Sequence, residues 1–343
     1  MLTAAKNISA FTSRDLENKE QTEMSIWKLR LSMLGTLTAI IALSTLVFTA
    51  VLFLVGVFDI VTLGILVVGF NVLQWLISPY LISALYRARE LKQDENPKLY
   101  QTVQNLSQKS GIRTPKIFLA QIPLPNAFAY GSPLTGNRMA VTSGLMKTLD
   151  DDEIEAVIGH ELGHLKHRDV QTMMFVSILP ALFYYMGYSF LISAMYGGQK
   201  REGNGGGAIL GLGFMAFSFV LNLFILNLSR TREYYADRHS ASIVPNGSQK
   251  LSTGLAKIVN ASKNIGRNKN QTKNLSAFKA LFITDPERAH ADSAEIAAMS
   301  HPEGQKLVQE ILSRRLTTLD RIAEVLSTHP NIIKRLKALQ ELD

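Results

Sequence analysis

The chain contains no cysteine. That excludes disulfides and thiolate-ligated metal, and it fits a reducing cytosol. Histidine is scarce too, seven in 343 residues, so histidines standing close together carry information. The most consequential absence is charge. No Asp, Glu, Lys or Arg occurs from Leu31 to Phe58, Ile60 to Tyr86, Val170 to Gln199 or Gly203 to Ser229. A hydrocarbon layer roughly 30 Å thick needs about 20 apolar residues at about 1.5 Å each. All four runs reach that length, and four transmembrane helices are predicted. The fourth is the least regular, opening on Gly-rich residues 203–207 and interrupted by Asn222 and Asn227. Pro79 and Pro180 are tolerable inside membrane helices, where neighbours satisfy the freed backbone groups. A cleavable secretory signal is not expected, because about thirty polar and charged residues precede the first run. No repeat of fixed period is present.

Basic residues orient the bundle. Lys28 and Arg30 precede the first run; Arg87, Arg89 and Lys92 follow the second. Lys166 and Arg168 precede the third; Arg230, Arg232 and Arg238 follow the fourth. No Lys or Arg surrounds Asp59, and the connection between the third and fourth runs has only Lys200 and Arg201. Basic loops stay cytoplasmic, so both termini and the long connection between the second and third helices are expected there. The expected organisation is a cytosolic segment 1–30, helices one and two in 31–86, and a cytosolic part 87–169. Helices three and four in 170–229 and a second cytosolic part 230–343 complete it. Much of the net charge of +8 is juxtamembrane, which argues against a nucleic-acid partner. Lys263 to Lys273 is basic and Asn-rich, and reads as a mobile loop able to meet anionic lipid headgroups.

Outside the apolar runs, residues 94–114 carry a helical pattern ending at Gly111. Three short strand candidates follow: Lys116–Ala120, Ala127–Tyr130 and Arg138–Thr142, with Gly136-Asn137 as the turn between the last two. A small antiparallel sheet or hairpin is expected. Thr148 to Glu153 then opens a helix with acidic residues in its first turn, where the helix dipole favours them. Pro330 is expected as the first residue of a last helix over Asn331 to Leu342.

That acidic-capped helix carries His160-Glu161-Leu162-Gly163-His164. Positions i and i+4 lie on one helical face, so both imidazoles can converge on one metal ion. Glu161 can then face water as general base. A catalytic zinc usually takes three protein ligands and keeps one open position. Candidates for the third are His167, Asp169, Glu233, Asp237, His239 and His329. A third histidine six residues after His164 is absent, since that position is Val170. Glu233 and Asp237 share a face at i and i+4, either as ligand and imidazole-orienting partner or as two solvated acids beside Arg232 and Arg238. An up-and-down membrane hairpin favours the first reading, because it returns Glu233 to the side of the membrane where His164 lies.

With these segments together, the chain resembles HtpX-type membrane zinc metalloproteases, in the larger group that includes the CAAX prenyl proteases. The resemblance spans nearly the whole chain. It rests on the four apolar runs, Pro125-Asn126-Ala127-Phe128-Ala129, Val157 to His164, and Ser229-Arg230-Thr231-Arg232-Glu233-Tyr234-Tyr235-Ala236-Asp237. It implies zinc held by His160, His164 and Glu233, with Glu161 as base and Asp237 behind the ligands. Thr328-His329-Pro330 followed by Arg335 matches a further family element. That element suggests His329 or Arg335 stabilises the reacting carbonyl or closes the site.

The expected architecture is mainly α: a four-helix multi-pass membrane protein with a cytosolic zincin-like (gluzincin) catalytic domain holding a small sheet. The expected reaction is peptide-bond hydrolysis at the cytoplasmic face. The strand through Asn126, Ala127, Phe128 and Ala129 is expected to hold an extended substrate by backbone pairing. Charged residues on both sides of the motif put it outside the hydrocarbon. Misfolded membrane proteins are the expected substrates. A processing enzyme for prenylated C-termini and a catalytically silent scaffold are the alternatives, the latter disfavoured by the presence of Glu161. Oligomeric state is not readable from the sequence.

Overall fold

In the computed structural model of the chain, the residues described are 60–196, 205–266 and 304–342. They form a mainly helical protein with one small sheet. The first expected span, Leu31 to Phe58, lies outside them, as does Lys263 to Lys273 beyond Gly266.

Three described helices are long and apolar enough to cross a membrane: α1 (Ile60–Leu85), α5 (Asp169–Tyr196) and α6 (Gly205–Ile243). At 39 residues, α6 measures about 58 Å, nearly twice a hydrocarbon layer. Its apolar part ends at Ser229, and the remainder, from Arg230 onward, continues without a break to pack on the motif helix. α5 and α6 pack against each other through glycine. A β-carbon on Gly187 would come within 2.6 Å of the Gly211 carbonyl oxygen. Close backbone approach of this kind is how membrane helices gain contact where lipid offers no hydrophobic drive.

The sheet has four strands: β1 (Ala88–Glu90), β2 (Lys116–Ala120), β3 (Ala127–Ser132) and β4 (Gly136–Thr142), in the order β1-β2-β4-β3. It is mixed rather than antiparallel, because β2 and β4 run parallel. The cause is the segment 121–126, which carries the chain across the sheet end so that β3 becomes an edge and β4 returns into the gap. This crossing packs on Gly144, where a β-carbon would strike the Pro123 carbonyl oxygen at 2.1 Å. The β3–β4 turn is Pro133–Thr135, three residues earlier than the expected Gly136-Asn137. Gly136, at φ +68°, is instead the first residue of β4 and pairs with Ser132.

α2 (Pro97–Ser110) begins behind an Asn96 cap and ends on Gly111 in the left-handed region, where a side chain would be strained. α3 (Ser143–Thr148) leads to α4 (Asp151–Lys166), which carries the histidine motif. Asp150 and Glu153 form a reciprocal capping box there, a device that contributes about 1 kcal/mol. α7 (Gly247–Gly266), α8 (Gly304–Ser313), α9 (Thr318–Val325) and α10 (Ile332–Gln340) complete the described chain. Asn331, not Pro330, caps α10, its side chain accepting from the Ile333 amide. Pro330 thus stands outside the helix it was expected to open.

One core joins α2, α4, α7, α8 and α10 to a sheet face made by Ile117, Ala127, Met139 and Val141. The opposite sheet face carries Phe118, Phe128 and Tyr130, packed with Tyr86 at the end of α1. The motif helix is thereby wedged between the sheet and α6.

Candidate metal centre

α4 and α6 meet through small residues. A β-carbon on Gly163 would lie 3.0 Å from Ala236 Cα, and one on Gly159 would lie 3.0 Å from Ser240 Oγ. Ser240 Oγ also donates to the Ala156 carbonyl at 2.6 Å. With the two backbones this close, side chains of ordinary reach span from one helix to the other.

His160 and His164 turn their Nε2 atoms toward each other at 3.2 Å. Glu233 of α6 stands opposite, with Oε2 3.6 Å from His160 Nε2 and Oε1 3.6 Å from His164 Nε2. Behind the rings, Asp237 Oδ1 lies 2.8 Å from His160 Nδ1, and His164 Nδ1 hydrogen-bonds Asp169 Oδ2 at 2.6 Å. Carboxylates at both Nδ1 atoms favour the proton there and leave the Nε2 lone pairs directed at one point.

The next layer is ionic. Arg335 is 1% exposed and grips Asp237 twice, Nε to Oδ2 at 2.9 Å and Nη2 to Oδ1 at 2.6 Å. Its Nη1 lies 3.0 Å from Glu233 Oε2. The guanidinium is thus engaged by Asp237 and Glu233, contacts that the expected role of stabilising the reacting carbonyl or closing the site did not include. Arg232 Nε lies 2.9 Å from Asp169 Oδ1. His329 Nδ1 approaches Glu233 Oε1 to 3.2 Å, while its Nε2 is buried without a hydrogen-bond partner among the described residues. The loop bearing His329 is held by Arg230, whose Nη1 donates to the carbonyls of Glu324 and Ser327 at 2.7 and 2.8 Å.

Glu161 faces the sheet edge. Its Oε2 accepts from the Ala129 amide at 2.8 Å. The ladder explains why that amide is free to point there. Thr142 N donates to Asn126 O, so Asn126, Phe128 and Tyr130 bond inward to β4, and Ala127 and Ala129 turn their backbone groups outward. Of the four residues expected to hold substrate, Asn126 and Phe128 are thus committed to the sheet. Ala127 and Ala129 are the two whose main chain lies along its open edge.

The remaining ligand candidates are placed elsewhere. His167 is an exposed helix C-cap, and the buried His239 pairs its Nε2 with Ser110 Oγ at 2.9 Å. Asp169 contacts a histidine from behind. Nothing in its spacing from His164 marks it. Arg168, at φ +54°, reverses the chain between α4 and α5 and folds Asp169 back to the ring.

The donor set suits a divalent cation. Tetrahedral zinc with Zn–N of about 2.0–2.1 Å separates neighbouring ligand atoms by roughly 3.3 Å. The 3.2 and 3.6 Å spacings among His160, His164 and Glu233 bracket that value. Charge agrees. Glu161, Glu233, Asp237 and Asp169 are all buried, and Arg335 and Arg232 neutralise only two of the four carboxylates. With both imidazoles neutral, as metal ligands are, two negative charges remain to be balanced. Burial, aided by Glu233, raises the Glu161 carboxyl above the ordinary range against the opposing pull of His164 and His160. Burial would lower His164, but its hydrogen bond to Asp169 and the charges of Glu233 and Glu161 outweigh that and push it up to about 9. The site holds positive charge strongly.

Residues 93–343 match the family described as Peptidase family M48. Protease HtpX homolog of Thermoplasma acidophilum is 36% identical over 332 residues, covering 93% of this chain and 99% of that one. Protease HtpX homolog 2 of Saccharolobus solfataricus is 37% identical over 295 residues, covering 84% and 87%. The crystal structure of S. mikatae Ste24p shares the fold, with a TM-score of 0.50 at 18% identity, over 84% of this chain and 67% of that one.

Proposed function

The chain belongs to peptidase family M48, as an HtpX-like membrane metalloprotease, and from that premise we propose a zinc-dependent endopeptidase that cuts membrane proteins at the cytoplasmic face. The observation that carries this is the meeting of two imidazole Nε2 atoms and the Glu233 carboxylate beside a buried Glu161. His160, His164 and Glu233 are the proposed ligands. When bound, zinc supplies Lewis acidity that lowers the pKa of water and polarises a carbonyl.

The chain's own groups do the rest. Glu161, raised by burial, is suited to take a proton from water and deliver it to the leaving amine. Its Oε2 is aimed by the Ala129 amide, which leaves the other oxygen for that proton. Asp237 and Asp169 hold the two rings, and Arg335 and Arg232 hold those carboxylates. His329, close to Glu233 with a spare buried Nε2, is the proposed donor to the developing oxyanion. Ala127 and the Ala129 carbonyl offer an extended peptide a strand edge to pair with, the Ala129 amide being engaged by Glu161, and such pairing asks little of the peptide's side chains. Basic residues flanking the apolar runs support cytoplasmic placement of both termini and the site. Removal of misfolded membrane proteins is the proposed task.

The test is degradation of a membrane-protein substrate by purified protein and by Glu161→Gln at equal metal content. Loss of at least a hundredfold is expected, in line with removal of a general base. Equal rates would refute the mechanism. A prenylated peptide assayed in parallel separates this reading from C-terminal processing.

A further inference from the structure

β3 runs beside the last turns of α1, in the opposite direction. Tyr130 Oη meets Ser83 Oγ at 3.1 Å, and Ser132 Oγ donates to the Leu76 carbonyl at 3.1 Å. The step from Ser83 to Leu76 is about 10 Å along a helix axis. The hairpin tip, Pro133–Thr135, therefore lies at or beyond the level of Leu76, about 13 Å back from the end of α1 at Leu85. Over that interval the outer face of α1 is exposed and apolar, through Ile77, Tyr80, Leu81 and Leu85. The first charged residue after it is Arg87. If lipid surrounds that face, it also reaches the hairpin beside it.

The hairpin is built for such surroundings. No charged residue occurs from Ala127 to Asn137, and Leu134 at the tip is 66% exposed. Hydrocarbon requires polar groups to be satisfied within the protein. Here Thr135 N donates to Ser132 O, Ser132 N to Thr135 Oγ1, and the Thr135 hydroxyl to Gly136 O, at 3.1, 3.1 and 3.2 Å. Arg138 stands higher, at the neck. Its guanidinium carbon lies 5.4 Å from the Tyr80 ring centre and 5.0 Å from that of Phe118, and Nη1 donates to Ser83 Oγ. That is where a long basic side chain keeps its charge near the headgroups while its stem runs along apolar surface.

We propose that the β3–β4 hairpin is a wedge set into the phospholipid bilayer, with Leu134 among the acyl chains. β3 leads from that wedge to Ala129 and Glu161, so a segment pairing with its open edge is received from the bilayer surface. This consequence rests on the protease reading; the wedge does not.

Because the chain lacks cysteine, single probes are available without background. Spin labels on Leu134→Cys and, independently, Pro133→Cys are compared in phosphatidylcholine–phosphatidylglycerol vesicles with labels on Leu73→Cys, on the exposed face of α1, and Lys147→Cys, on the exposed side of α3. Oxygen, which partitions into lipid, is expected to relax the tip labels several-fold more than a water-soluble nickel chelate does, as it does the Leu73 label. Tip labels that respond like the Lys147 label would overturn the wedge whatever the protein cleaves. Leu134→Glu is then expected to slow cleavage of a membrane-embedded substrate at least tenfold while a soluble peptide is cut at the original rate. Equal slowing of both would remove the link between wedge and substrate delivery.

Discussion

Arg335→Met tests the ionic layer behind the metal centre most directly. Methionine keeps most of the side-chain volume and removes the charge. In the native protein that charge sits at 1% exposure, with nitrogens 2.6 and 2.9 Å from Asp237 oxygens and 3.0 Å from Glu233. Burial alone would lower the guanidinium's proton affinity, yet Asp237 and Glu233 outweigh that and raise it. Removing one member of a buried pair strands the other, at roughly 3–5 kcal/mol. For a unit of 150–250 residues that corresponds to a fall in melting temperature of roughly 6–20 °C, at about 2–4 °C per kcal/mol. The assay is thermal unfolding of detergent-solubilised protein together with measured zinc content. Arg335→Met should melt early and hold less zinc, since Asp237 loses the partner that aims it at His160. Asp237→Asn added to Arg335→Met should recover part of the lost stability, because Glu233 is then the one carboxylate left without its arginine. A single variant melting within about 2 °C of the parent, or a double variant no better than the single, would refute the charge argument.

Asp169→Asn should weaken zinc binding about 10- to 100-fold, the usual cost of losing a carboxylate behind a ligand imidazole, as read by competition with a chelator. Gly163→Ala should lower zinc affinity by about tenfold or more while helical circular dichroism is retained, because a β-carbon 3.0 Å from Ala236 Cα pushes α6 and Glu233 away. Unchanged affinity would show that the close crossing does not set the ligand distance. Lys257→Met should flatten the acid limb of stability. Burial tends to raise Asp150, but the Glu153 amide and Lys257 outweigh it and hold its carboxyl below the ordinary range. Its contribution is therefore present above about pH 4 and lost as pH falls further. Burial tends to lower Lys257, but Glu153 and Asp150 outweigh it, so the amine's contribution is present below about pH 10 and lost above. The gap in melting temperature between parent and variant should thus close at both ends of the pH range. A gap constant from pH 3 to pH 7 would contradict the assignment.

Legibility followed sequence distance. His160, Glu161 and His164 are readable together because one helical turn joins them and the helix period fixes their common face. Glu233 and Asp237 were linked to each other by the same period. Their link to His164 needed the membrane hairpin, and the long helix α6 supplies it by running unbroken from the apolar stretch to Ile243. Asp169 was named only as a candidate ligand, because a five-residue spacing puts no two side chains on one helical face. The left-handed turn at Arg168 decides its position, and an arginine does not announce such a turn. Arg335 was legible as a residue of the site, but its carboxylate partners were not. An arginine near a helix start reads as exposed or substrate-facing, and only the packing of α10 against α6 buries it on Asp237.

The sequence by itself therefore determined the three apolar helices described, the motif helix with its acidic cap, and the residue types able to hold a metal. These depend on local period, on runs of one residue class and on side-chain chemistry, all of which are written in chain order. The tertiary structure alone decided that β2 and β4 pair in parallel, that Gly159 and Gly163 let α6 approach, and that Arg335 and Arg232 neutralise half of the buried carboxylate charge. Each of these depends on distances between segments separated by tens of residues, and no local pattern encodes such a distance.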